Sequence, residues 1–204
     1  LAPPERVDLH AGFEPRRFGE GVQVYFESVE SLHDDITPGV EKRVVWRDGF
    51  YERRTPVSVL YVHGFSATSE EIRPLPDLVA GALGANLVYT RLRGHGRGGA
   101  ALGEVTASDW VADMAEGLAA ARAVGERVVV IATSTGGTLA TAAALDPEMR
   151  EGIAALVMLS PNYAINDPNA WLLTLPGARL LLPFALGEER RFEPANAAQA
   201  RYWT

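Results

Sequence analysis

The sequence predicts an α/β fold whose core is a mostly parallel, doubly wound sheet. From residue 57 onward, short apolar runs alternate with segments of helical spacing, the pattern of parallel strands joined by crossover helices. The apolar run 128–132 leads at once into Ser134, Gly136, Gly137 and an alanine-rich stretch. That order indicates a buried strand that turns sharply into a helix.

Composition restricts the classes of function that need to be considered. The 204 residues are 47% hydrophobic and 22% charged, which suits one globular domain with a sizeable core. A net charge of -7 without a basic cluster argues against nucleic-acid binding. Arg91, Arg93 and Arg97 lie close together, with two glycines between the second and the third, and are interpreted as part of a loop. The chain has no cysteine, which excludes disulfides, thiolate catalysis and cysteine-based zinc sites.

Targeting signals are not evident in the sequence. The first residues lack the basic start and apolar run of a signal peptide, and the apolar segment 171–186 is interrupted by prolines, a glycine and an arginine. We therefore expect no integral membrane segment. The absence of cysteine fits a reducing compartment, and we expect a cytoplasmic location.

The segment before the alternation is predicted to be less regular. Residues 1–20 are rich in proline, arginine and glutamate and are expected to form a loosely attached arm. Residues 22–27 and 40–47 alternate well enough for two strands, and Asp48-Gly49 is a turn signal. We therefore expect an antiparallel, hairpin-like start to the sheet.

Three helices and four strands are predicted after this start. The strands are expected at 57–62, 86–91, 128–132 and 153–159. The first helix should begin near Thr68, where a capping-box spacing occurs, and end within 81–84. The second should open at Thr106, and the third should run from Thr135 to Leu145 and stop at Asp146-Pro147. In the second helix, Trp110, Met114, Leu118 and Ala121 should pack on the sheet, while Asp109, Asp113 and Glu116 should face water.

Ser134 is the candidate nucleophile. A tight turn between strand and helix lifts its Oγ clear of the backbone and directs the helix N-terminus at the same place. A hydroxyl beside a site for negative charge is what acyl transfer requires. The alternative is a serine that only caps an ordinary helix.

Three motifs in series resemble the α/β-hydrolase family, and most closely its lysophospholipase, monoglyceride lipase and small carboxylesterase members. They are His63-Gly64-Phe65 after one strand, Arg91 to Gly96 after the next, and the serine turn after the third. The resemblance covers residues 55–165 well and continues more weakly beyond them. Ala132 stands where the family usually has the first glycine of Gly-x-Ser-x-Gly.

The resemblance implies a division of the chain and a set of roles. It implies an N-terminal arm at 1–20, a partial α/β-hydrolase core at 21–165 with antiparallel N-terminal strands, and the start of a helical lid at 166–204. Ser134 would be the nucleophile, and the backbone N–H groups of Phe65 and Thr135 would form the oxyanion hole. No metal and no organic cofactor is implied. His63 and His95 would shape loops, His95 being alternatively a stand-in base, and His10 and His33 would lie on the surface.

The catalytic histidine is the main obstacle to this interpretation. The family order is serine, acid, then histidine, and no histidine follows Ser134. Asp167 lies near a place that some members use for the acid, although it could equally start the next segment. The seven apolar residues 153–159 suit a strand covered on both faces, so we expect further strands beyond it. A missing C-terminal segment or a second polypeptide would then complete the triad, and the chain as given would be inactive alone.

The expected function is hydrolysis of a small-molecule carboxylic ester. The apolar side chains of 171–186 would suit a lid over a hydrophobic acyl group, or they would simply pack against the core. One alternative is a non-catalytic binding protein on the same fold. Another is a Rossmann-like nucleotide site at 133–137, but that loop lacks Gly-x-Gly-x-x-Gly spacing and a lysine.

Overall fold

A five-stranded, mostly parallel sheet forms the centre of the protein. The computed structural model describes residues 7–164, 168, 170–175 and 193–203. The strands are Arg43–Val45 (β1), Thr55–Val62 (β2), Asn86–Tyr89 (β3), Gly125–Thr133 (β4) and Ile153–Leu159 (β5). Their order is β1-β3-β2-β4-β5, with β1 antiparallel to β3 and all other pairs parallel. The predicted α/β class and the antiparallel N-terminal strand are confirmed.

Helices cover both faces of this sheet. They are Val22–Glu30 (α1), Leu75–Leu83 (α2), Gly99–Gly103 (α3), Ala107–Val124 (α4), Thr135–Leu145 (α5) and Ala197–Tyr202 (α6), with 3-10 helices at Pro15–Phe18 and Ala170–Thr174. Leu60 and Val62 of β2 point towards α1, α4 and α5, whereas Val59 and Tyr61 point towards α2. Successive residues of β2 face opposite sides of the sheet. Because helices pack against both of these sides, the sheet is doubly wound.

The N-terminal region differs from its prediction. Residues 22–27 form the start of helix α1 rather than a strand, and β1 pairs with β3, so the hairpin-like start is wrong. Val22, Phe26 and Glu30 are buried at a spacing of four, which places them on one helical face. Phe18 is also buried in the core, so the segment before α1 is not loosely attached at that point.

Helix α2 starts later than predicted. Its first residue is Leu75 and not Thr68, because Pro74 and Pro76 lack the N–H that a helix interior requires and fit only at a helix start. Its end is as predicted, with Gly84 in the left-handed conformation as C-cap.

Helix α4 begins as predicted, but two of the charged residues predicted to face water are buried. The capping box of Thr106 and Asp109 is present at its N-terminus. Asp113 and Glu116, however, are buried rather than facing water, because α1 and the loop after β3 cover that side of the helix. The hydrophobic period of α4 is correct, and the assignment of its polar face is wrong.

Strand β5 has the predicted bounds and a different environment. It lies at one edge of the sheet within the described residues, and its burial pattern is mostly exposed. Val157 and Met158 are 46% and 39% exposed. The prediction that both faces of this strand are covered is not met in the described part of the chain.

Candidate active site

The candidate site lies where strands β2, β3 and β4 end. Because these three strands run parallel, the segments that follow them come together at one edge of the sheet. These segments are His63-Gly64-Phe65, the loop from Arg91 to Gly96, and the turn at Ser134. This edge is where ligands bind in open α/β sheets.

Ser134 occupies a strained turn between β4 and α5. Its φ is 49° and its ψ is −116°, a region that residues with a side chain rarely adopt. Its N–H donates to the carbonyl of Leu159 at 2.9 Å, and its carbonyl accepts from the N–H of Asn162 at 3.1 Å. Ser134 holds the N-cap position of α5, but its hydroxyl makes no capping hydrogen bond. The alternative of a serine that caps α5 through its side chain is therefore wrong.

Small residues are required around this turn because backbones approach each other there. A Cβ on Gly136 would lie 2.3 Å from the carbonyl oxygen of Val62, which is impossible without displacement. A Cβ on Gly137 would lie 2.9 Å from the Cβ of Pro161. Ala132 is completely buried, so its methyl group fits where the family usually has glycine. The substitution of alanine for glycine leaves the turn intact.

His63 fixes the direction of the Phe65 amide. Its Nδ1 donates to the carbonyl oxygen of Gly64 at 2.9 Å, and its Nε2 accepts from the N–H of Leu92 at 3.1 Å. Burial holds the pKa of His63 well below its usual range, so the ring is neutral. The Gly64 carbonyl and the Phe65 N–H belong to one planar peptide unit and point in opposite directions. His63 therefore has the predicted structural role.

The sequence predicts that the amides of Phe65 and Thr135 act as a pair of hydrogen-bond donors. Neither N–H donates to another group within the described residues. The segment that carries Phe65 lies against the serine, since a Cβ on Gly64 would lie 3.1 Å from the Cβ of Ser134. The segment that carries one predicted donor thus lies against the candidate nucleophile, and the other predicted donor belongs to the next residue along the chain.

Glu71 also belongs to this site, and sequence reasoning missed it. Its Oε2 accepts from the N–H of Gly64 and from the hydroxyl of Tyr61, both at 2.9 Å. Its Oε1 lies 2.9 Å from where a Cβ of Gly64 would be. The sequence placed Glu71 in a helix cap, so nothing local indicated a contact with the His-Gly-Phe segment.

The other histidines are engaged away from Ser134. His95 is fully buried, its Nδ1 donates to the carbonyl of Arg93 at 3.1 Å, and burial lowers its pKa to about 4. Its ring packs against those of His63, Phe65 and Trp110, in agreement with a loop-shaping role. No hydrogen bond joins His95 to Ser134 in the described residues.

His10 and His33 lie on the surface, as predicted. His10 is bonded through Nδ1 to Asp146 at 2.6 Å, and this contact raises the pKa of His10. His33 is exposed. Each histidine of the chain therefore has a position that does not make it the partner of Ser134.

Buried ion pairs support the loop after β3. Arg91 makes two hydrogen bonds of 2.7 Å to Glu30 through Nε and Nη2, and its Nη1 donates to the carbonyl of His95 at 3.0 Å. The N–H of Arg93 donates to Asp113 at 2.6 Å, and Lys42 pairs with Glu116. The side chain of Arg91 and the backbone of Arg93 thus hold this segment as a loop, in agreement with the interpretation from the sequence.

Two predicted features fall mainly outside the described residues. Asp167 and most of the apolar segment 171–186 are among the residues that are not described. Among those that are, Trp171 and Leu175 are 58% and 45% exposed.

Within the described ranges, no cluster of three histidine, aspartate or glutamate side chains could hold a metal ion, and no helix is long and apolar enough to cross a membrane.

Comparison with known proteins agrees with this geometry. The model of a family described as the alpha/beta hydrolase family matches residues 59–204. Over 90 residues, the chain is 39% identical to a thermostable monoacylglycerol lipase of Bacillus sp. (strain H-257). This alignment covers 44% of the chain and 36% of that lipase.

A solved structure gives the same indication. It comes from work on LipS and LipT, two metagenome-derived lipolytic enzymes, and matches with a TM-score of 0.58 and 26% identity. The match covers 69% of this chain and 53% of that chain. The chain therefore spans about half the length of the solved relative and a smaller part of the curated one.

Proposed function

The chain belongs to the α/β-hydrolase family and is of its lipase and esterase type, and from this premise we propose that it is a serine hydrolase of carboxylic esters. The observation that carries the proposal is the turn at Ser134, whose hydroxyl makes no cap and which lies beside two unengaged amides. A strained turn has a cost of about 1–3 kcal/mol, which a serine serving only as a cap would not require. The nucleotide-binding alternative does not explain the His-Gly-Phe segment.

In the proposed reaction, Ser134 Oγ attacks the carbonyl carbon of the ester. The carbonyl oxygen becomes an anion, and the N–H groups of Phe65 and Thr135 donate to it. The alcohol then leaves, an acyl group remains on Ser134, and water releases the acid. A histidine takes the proton from Oγ and gives it to the departing alcohol, and an acid orients that histidine. The same histidine then takes a proton from the attacking water and returns it to Ser134 when the acid leaves. We assign the histidine and its orienting acid to residues outside this sequence, because its four histidines are placed elsewhere.

We propose that the substrate carries a hydrophobic acyl group. Phe65 is 53% exposed beside its own amide, and its ring packs edge-on against Trp110 at 6.0 Å. These two rings provide an apolar wall next to the proposed oxyanion hole. The lipolytic relatives agree with such a substrate, since their names refer to a monoacylglycerol lipase and to lipolytic enzymes.

The test is to replace the nucleophile in the complete protein. Ser134→Ala should reduce kcat on a short p-nitrophenyl ester by about 10⁴-fold or more, because removal of a triad serine leaves only the binding contributions. A fluorophosphonate probe should label the natural protein and not this variant. Ser31→Ala, an exposed serine at the end of α1, should behave like the natural protein. Unchanged hydrolysis by Ser134→Ala would end the proposal.

A second candidate function is a binding protein on the same fold. It is favoured by the positions of His10, His63 and His95, whose hydrogen bonds within the described residues go to groups other than Ser134. In that case the complete protein would bind an apolar ester without hydrolysing it, and the fluorophosphonate would not react.

A further inference from the structure

We propose that Glu71 is a positioning residue that holds the proposed oxyanion loop in its working conformation. The inference rests on the function proposed above, since it assigns to the Phe65 amide the role of an oxyanion donor. The contacts of Glu71 that support this role are with the N–H of Gly64 and the hydroxyl of Tyr61. Glu71 acts through the backbone of Gly64.

Gly64 is anchored on both sides by a side chain. The peptide unit before it presents its N–H to Glu71 at 2.9 Å. The peptide unit after it presents its carbonyl to His63 at 2.9 Å. Only φ and ψ of Gly64 connect these two planar units, so the two anchors together fix both dihedrals. The N–H of Phe65 lies on the second unit and is oriented as a result.

The anchors matter because residue 64 is a glycine in a crowded place. A Cβ at this position would lie 2.9 Å from Glu71 Oε1 and 3.1 Å from the Cβ of Ser134. Glycine loses more conformational freedom on folding than any other residue. Without Glu71, the unit before Gly64 would lose its hydrogen bond, and the loop could sample other directions of the Phe65 amide.

Glu71 is itself connected to the serine turn. Its Oε2 accepts from the hydroxyl of Tyr61, which is completely buried on β2. That hydroxyl also lies 3.3 Å from Oγ1 of Thr133, the residue before Ser134. Burial raises the pKa of Tyr61, so the phenol stays protonated and keeps donating. The carboxylate thus links the loop after β2 to the end of β4.

This geometry favours positioning over general base catalysis. Oε2 of Glu71 already accepts two hydrogen bonds from groups of the protein, the N–H of Gly64 and the hydroxyl of Tyr61, so this oxygen is engaged by its neighbours. The neighbouring Glu70 is held by Arg73 at 3.0 Å, so the short segment that carries Glu71 is itself fixed. The side chain therefore has the restraint that a positioning role requires.

The test compares Glu71→Ala with Glu71→Gln in the complete protein. Glu71→Ala should lower kcat on a short ester by about 10–100-fold with KM within about threefold, because a misdirected donor weakens binding of the transition state more than binding of the substrate. Glu71→Gln should restore kcat to within about threefold, since its amide oxygen can accept both hydrogen bonds. Equal kcat in all three proteins would overturn the proposal. An equal loss in both variants would also overturn it, because the charge would then matter rather than the acceptor.

A second measurement separates this inference from the proposed function. Hydrogen exchange of the Gly64 amide, followed by NMR, should be at least tenfold faster in Glu71→Ala than in Glu71→Gln or the natural protein. The amide of Gly84, bonded to the carbonyl of Gly81, is the internal control and should not change. If the natural protein fails to react with a fluorophosphonate, the proposed function fails, and this exchange rate still decides whether Glu71 anchors Gly64.

A further variant covers the case in which Glu71→Ala does not fold. Tyr61→Phe removes one donor to Glu71 and leaves the carboxylate in place. It should lower kcat severalfold and speed exchange of the Gly64 amide. Unchanged exchange and unchanged kcat in this variant would count against the proposal.

Discussion

The turn at Ser134 and the loop after β3 lie at the same edge of the sheet and are held in different ways. The serine turn is fixed by main-chain hydrogen bonds to Leu159 and Asn162 and by glycines that allow backbones to touch. The loop after β3 is fixed by buried charged side chains, above all the pair of Arg91 and Glu30. A turn that presents a reacting group needs space around it, so its support comes from the backbone. A supporting loop can use long side chains from distant elements.

The largest expected effect concerns the loop that depends on ion pairs. Glu30→Ala leaves Arg91 buried without its carboxylate, which should lower the free energy of unfolding by about 3–5 kcal/mol. Glu14→Ala removes an exposed partner of Arg16 and should change it by less than about 0.5 kcal/mol. Urea denaturation followed by circular dichroism measures both values. Similar losses in the two variants would show that burial of the first pair has no importance.

A pH titration of stability tests the same region more finely. Burial raises the pKa of Asp113 to about 6, so the folded protein holds this proton more tightly than the unfolded chain. The resulting stabilisation is complete below the unfolded pKa near 3.8 and is lost as pH rises towards 6. Relative to Asp113→Asn, the natural protein should therefore gain roughly 2 kcal/mol as pH falls from 6 to 4.

Asp109 is a matched control of opposite sign. Hydrogen bonds from Thr106 lower the pKa of Asp109, so its contribution is present above its unfolded pKa and is lost as pH falls through the folded value. Relative to Asp109→Asn, the natural protein should lose stability in acid. The same slope in both comparisons would contradict the assigned environments.

The smallest expected effect lies in the serine turn. Ser134→Gly should be more stable than Ser134→Ala by about 1 kcal/mol, because glycine adopts the positive φ of this position without strain. At Ser31, where φ is −64°, glycine should instead be less stable than alanine by up to about 1 kcal/mol. Chemical denaturation of the four variants gives both differences. A glycine at position 134 that brings no gain would remove the evidence for strain.

The serine turn could be predicted from the sequence, whereas the buried charged groups that support the loop after β3 could not. The difference lies in how far apart in the sequence the interacting residues are. The small residues that permit the turn, from Ala132 to Gly137, are local, and parallel strands then bring the His-Gly-Phe segment beside it. Asp113 occupies a polar position of α4, and its burial depends on Arg93, which comes from another element. A periodicity along one helix contains no information on such a partner.

The same reasoning explains the errors near α1 and Glu71. Residues 22–27 alternate over six positions, and so short a segment fits a strand as well as a helix. The structure shows the helical spacing, because Val22, Phe26 and Glu30 are the buried residues. Glu71 has the spacing of a helix cap, but two prolines delay the helix and leave its carboxylate for Gly64. The fold class and the bounds of β5 and α5 can be predicted from local sequence patterns, whereas contacts between different elements cannot. The roles of Ser134, Phe65 and Thr135 remain predictions until they are tested.

The segment directly after β5 braces the proposed nucleophile from the side. The N–H of Asn162 donates to the carbonyl of Ser134, and the carbonyl of Leu159 accepts from the N–H of Ser134. Pro161 packs against Gly137 of the same turn. A displacement of residues 159–162 would therefore reach Ser134 through two main-chain hydrogen bonds and through the contact between Pro161 and Gly137.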